Sequence, residues 1–168
     1  MFQEPHINDF YANVRWHLNR SVNATRVKVG NIRSNLVGRG MLHSSVAIQQ
    51  ITGAVQEEFE AGVDRAFGEL KRVIKITSLD PQELRQAALQ CLDDYLTRMK
   101  ALMNQDSALE MAGDFLMDQQ GRLRQHLEFT TRQFDVGCDA VRLPAWKRSC
   151  ESCLASLNQP PPRAMPTH

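Results

Sequence analysis

Cys150-Glu151-Ser152-Cys153 is the spacing in this chain best suited to metal or redox chemistry. Two thiolates two residues apart can share one zinc ion, and Cys138 and His126 upstream are further candidate ligands, with His168 near the end of the chain. Structural zinc takes four ligands, usually as two close pairs, and the sequence holds one close pair. The same thiols can close a disulfide. Both also fall on the apolar stripe of a short helix, where they would pack as small hydrophobes. Three readings therefore stand for this pair, with packing preferred over zinc and disulfide. A thioredoxin-like role needs a strand–helix setting that the sequence does not offer.

Asp106, Glu110, Asp114 and Asp118 recur every four residues, and Arg122 and His126 continue the series. A row of carboxylates beside an imidazole can hold a divalent cation or pass protons. A di-iron bundle would require Glu-x-x-His on core-facing positions, and that tetrad is missing. Acid near a helix start also complements the macrodipole, so the row is read as a solvated face. The histidines, His6, His17, His43, His126 and His168, stand singly. There is no His-Glu-x-x-His, no Gly-x-Ser-x-Gly and no Walker loop. Gly38-Arg39-Gly40 has no preceding strand and no third glycine, so it is read as a plain connection. No catalytic residue and no cofactor are expected.

Trp16, Arg20 and Val27 carry the reading preferred for function. All three project away from the apolar stripe of the first helix, and Trp and Arg are the residue types that most often anchor interfaces. The sequence thus points to a non-catalytic helical module for protein–protein interaction or oligomerisation. The competing reading has the bundle's own neighbours cover this face. Two other classes stand as alternatives. A nucleic-acid-binding regulator would use the basic N-terminal segment, where residues 1–45 hold six Lys/Arg against two Asp/Glu. Its Arg15, Arg20, Arg26 and Arg33 are spread around the helix and do not form one stripe. A small-ligand or metal-binding bundle would need polar groups inside the core, for which Tyr95, Gln119 and Thr130 are the candidates.

The elements that position these residues are helical. The chain has 168 residues and a formal net charge of +1, so no global pull towards nucleic acid or membrane is expected. No apolar run approaches the roughly 20 residues that span a bilayer. Met1 to His6 lacks the basic and apolar regions of a signal peptide, and a cytoplasmic, reducing setting is expected for the four cysteines. Asn23-Ala24-Thr25 fits a glycosylation acceptor but has no secretory route in this reading.

The central segment from Ser44 to Ile76 places Ile48, Ile51, Val55, Phe59, Val63, Ala66, Leu70 and Val73 at steps of three and four. Phe67, Ile74 and Ile76 widen its apolar surface towards the C-terminal end. Gly62 falls on the buried stripe, where a missing side chain admits a close neighbour. A first helix starts near Asn8 as N-cap, carries Phe10, Val14, Leu18, Val22, Thr25, Val29, Ile32 and Leu36, and has its expected break point near Gly30. A third begins at Asp80-Pro81 with Glu83 in capping-box position, and its Cys91 is read as an inert core residue. A fourth is capped by Asp106, carries Phe115, Leu116, Gln119, Leu123, Leu127, Thr130 and Phe134, and stops at Gly137. A short fifth follows Leu143-Pro144. The expected fold is all-α, an antiparallel bundle of about four long amphipathic helices plus a short C-terminal one. Residues 1–7 form an extension, 8–158 the bundle and 159–168 a Pro-rich disordered tail.

Overall fold

The computed structural model describes residues 7–142, with the backbone alone at 111 and 138–142. The protein is all-α, and its described helices are α1 (Ile7–Gly38), α2 (Ser45–Ile76), α3 (Pro81–Asn104) and α4 (Gly113–Arg142). A 3₁₀ helix, Ser107–Ala112, joins α3 to α4. The chain divides into two compact units, Met1–Thr131 and Arg132–His168. The second is described only over the last turns of α4. The short fifth helix and the Pro-rich tail lie outside the described residues.

The start of α2 follows its sequence signal. Ser44 is the N-cap, in extended conformation, and its hydroxyl accepts the Ala47 N–H at 3.2 Å. At the other end Thr77 sends both its backbone N–H and its hydroxyl to the Val73 carbonyl, satisfying one of the last orphan acceptors. Asp80 caps α3 by accepting the Gln82 N–H at 2.9 Å, with Pro81 in the first turn, where its missing N–H costs nothing. The connection between α1 and α2 turns at Gly40, whose φ of +65° suits glycine.

Three helices build the core. The apolar stripe of α2 is buried from Ile51 through Val55, Phe59, Val63 and Leu70, and Phe67 beside it is buried too. These residues meet Val14, Leu18 and Val22 of α1 and Leu84, Ala88, Leu92, Leu96 and Met99 of α3 in one apolar interior. Contacts run in opposite order along α1 and α2, with Asn13 beside Glu69 and Lys28 beside Glu57. Along α1 and α3 they run in the same order, with Tyr11 beside Cys91 and Asn19 beside Arg98. The face of α2 that carries Glu57, Asp64, Lys71 and Lys75 is exposed, as its polarity requires.

Four local expectations are corrected. The first helix starts at Ile7, so Asn8 lies inside it, and it runs unbroken through Gly30. Packing of its buried seam against two neighbours outweighs the roughly 1 kcal/mol glycine cost. Asp106 caps the 3₁₀ helix and not α4, and Gly113, at φ +33°, restarts the chain as an α-helix. Phe115 of the expected stripe is consequently exposed, whereas Gln119 and Leu123 are buried. Gly137 does not stop α4, which continues to Arg142.

Candidate functional site

The outer face of α1 is built by simple helical arithmetic. Trp16, Arg20 and Val27 lie within one stripe, since steps of four and seven return to the same side. The opposite side carries Val14, Leu18, Val22 and Val29, all buried. Trp16 is 55% exposed and Val27 is 63% exposed, so no described helix covers them. The Arg20 guanidinium lies 5.6 Å from the centre of the Trp16 ring, within cation–π range. The His17 ring meets Trp16 edge-on at 4.8 Å. The indole is therefore held by its own helix neighbours while its other face stays open. Further along, Val37 is exposed near the end of the same helix. Ile76, at the widened end of α2, is exposed as well, whereas Phe67 has gone into the core.

His17 also lines a cavity of about 190 Å³ between α1 and α2, floored by Val14, Leu18 and Ala66. Glu69 stands at its rim. Its carboxyl is held below the usual range by hydrogen bonds from Arg72, against the opposing effect of burial.

The core holds a polar centre that the sequence only half showed. The Tyr95 ring stacks on Phe59 with centroids 5.2 Å apart and lies directly over Gly62. Its hydroxyl donates to the Glu58 carbonyl at 2.8 Å and shares a 2.9 Å hydrogen bond with the Ser21 hydroxyl. The Thr25 hydroxyl in turn donates to the Ser21 carbonyl at 2.8 Å. Burial pushes the Tyr95 phenol above its ordinary value, partly offset by the Ser21 hydrogen bond. Tyr95 was legible as a candidate, but Ser21 reads as an ordinary polar residue and was missed. Gln119 is buried on α4, and Thr130 is half-buried, 3.5 Å from the His126 ring. These side chains do not join the Tyr95 centre. Among the described residues every buried side-chain polar atom has a hydrogen-bond partner, so the centre presents no unpaired group to a ligand.

The carboxylate row is dismantled by the break at Gly113. Asp106 is 4% exposed and turned inward, where it accepts the Ala108 N–H at 2.9 Å and sits 3.8 Å from the Arg33 guanidinium. Asp118 pairs with Arg122 at 3.0 Å on the surface of α4. Among the described residues, no three His, Cys, Asp or Glu side chains converge as a metal would need. Cys150, Cys153, His168 and the Cys138 side chain lie outside what is described, and His126 is half-buried on α4. Cys91 is a buried free thiol, raised above its ordinary pKa first by burial, an effect that nearby Arg15 opposes. Among the described residues no helix is long and apolar enough to cross a membrane.

No protein-family model, no curated protein and no solved structure matches the chain.

Proposed function

We propose that this chain is a non-catalytic helical interaction module, which docks another copy of itself or a partner protein through the outer face of α1. The observation that carries the reading is the exposed Trp16, braced by Arg20, on the same stripe as exposed Val27. An indole buries a large apolar area when it docks, and here little side-chain freedom remains to be lost, because Arg20 and His17 already hold the ring. A partner helix would lie along this stripe in coiled-coil fashion, with Val37 and the exposed Ile76 as outlying contacts. The buried free thiol of Cys91 agrees with a reducing, cytoplasmic setting.

Sedimentation velocity on the intact protein and on the double variant Trp16→Ser, Val27→Ser tests this reading. Association of the intact chain should weaken by about tenfold or more in the variant, the scale on which interface anchors act. The circular dichroism of the two should coincide, because both side chains are largely exposed. Equal association of both proteins would remove this face from the proposal.

A further inference from the structure

A second surface lies roughly a quarter turn around α1 from Trp16, and it is independent of the docking face. Asn19, Asn23, Arg26, Gly30 and Arg33 follow one another at helical spacing on α1. Arg98, Leu102 and Gln105 do the same on α3. The two rows run in the same direction and face each other, as the Arg98 hydrogen bond to Asn19 and the 3.1 Å hydrogen bond from Arg33 to Ser107 show. Between them lie two adjoining cavities of about 460 and 280 Å³, which share Arg26, Leu102 and Gln105. Their floor is Val22, Val29 and Leu102, and their rim is guanidinium and amide. Gly30 borders the second cavity, and a Cβ added there would point into open space, with nothing within 4 Å.

The charges are unevenly matched. Arg98 pairs with Asp94 at 3.1 Å, and Arg33 reaches Asp106 at 3.8 Å and Ser107. Arg26 is exposed and has no hydrogen bond or ion pair among the described residues. Three guanidinium groups thus border the cavities against a single lining carboxylate, Asp106, which is already engaged by the Ala108 N–H. Guanidinium forks suit planar or tetrahedral oxyanions, which accept two parallel N–H donors. The Asn19, Asn23 and Gln105 amides add donors for further oxygens.

We propose that the groove between α1 and α3 binds a small oxyanion, a phosphate ester or a multivalent carboxylate, with Arg26 as its principal charge partner. Titration calorimetry at low salt, with inorganic pyrophosphate and citrate as probes, tests this on the intact protein. At least one probe should bind, and the tighter of the two names the class. Arg26→Gln should weaken that binding by about tenfold or more, the scale of one charge-assisted contact. Gly30→Leu, which fills the groove without touching a charge, should weaken it too. Arg39→Gln, in the first loop, should leave it unchanged. No heat from either probe up to millimolar concentration overturns the proposal. So does equal binding by Arg26→Gln, or an equal loss in Arg39→Gln.

Discussion

At the scale of single residues, the most informative group is the Tyr95 hydroxyl. It links all three core helices, reaching the Glu58 carbonyl of α2 and Ser21 of α1 from α3. Tyr95→Phe should cost about 1 kcal/mol in urea unfolding, the usual net worth of such a bond. The pH dependence follows from the raised phenol. An unfolded tyrosine ionises near about pH 10, while Tyr95 in the fold holds its proton to higher pH. Its contribution is therefore complete below about pH 10 and is lost as pH rises through the folded value. Tyr95→Phe should flatten this alkaline loss in melts between neutral and strongly basic pH; an unchanged slope would contradict it. The sequence showed Tyr95 on the apolar stripe of α3 but could not show Ser21. A serine followed by a buried valine carries no periodic signal of its own, and its partner is 74 residues away. The arginine groove was hidden for the same reason. Arg26 and Arg33 share one side of α1, but their third member, Arg98, lies on another helix.

At the scale of elements, the first three helices were legible because their apolar residues repeat at three and four and because Ser44, Asp80 and Pro81 mark the boundaries. The fourth was less so. An Asp N-cap serves a 3₁₀ turn as well as an α-helix, and only the positive φ of Gly113 separates the two. Glycine also misled at Gly30 and Gly137, which sit inside continuous helices. The three glycines of α2 are distinguishable by what surrounds them. A Cβ on Gly62 would stand 2.6 Å from the Tyr95 oxygen, and that ring is held by Phe59 and two hydrogen bonds and cannot swing aside cheaply. Gly62→Ala should destabilise the protein by about 1–3 kcal/mol, as overpacking does. Gly53 and Gly68 are exposed and meet nothing within 4 Å, so alanine at either should stabilise by about 1 kcal/mol. Thermal melts of the three variants check both directions, and a stabilising Gly62→Ala would contradict the close approach.

At the scale of the whole molecule, the formal charge is near neutral, and among the described residues each buried side-chain polar atom has a hydrogen-bond partner. The candidate face on α1 was visible as residue types out of phase with the buried stripe, and the structure adds their exposure and the bracing of Trp16 by Arg20. Cys150, Cys153 and the tail lie outside the described residues, and the zinc, disulfide and packing readings of that pair stand as the sequence left them. The most direct measurement uses the Trp146→Phe variant, in which Trp16 is the sole tryptophan. Its emission is recorded across a wide concentration range alongside light scattering. The account predicts that emission shifts to shorter wavelength as mass rises, because Trp16 leaves water on association. A rise in mass with emission fixed at the exposed-indole position would contradict it, and a monomer at every concentration would remove self-association and leave only the partner protein as occupant of this face.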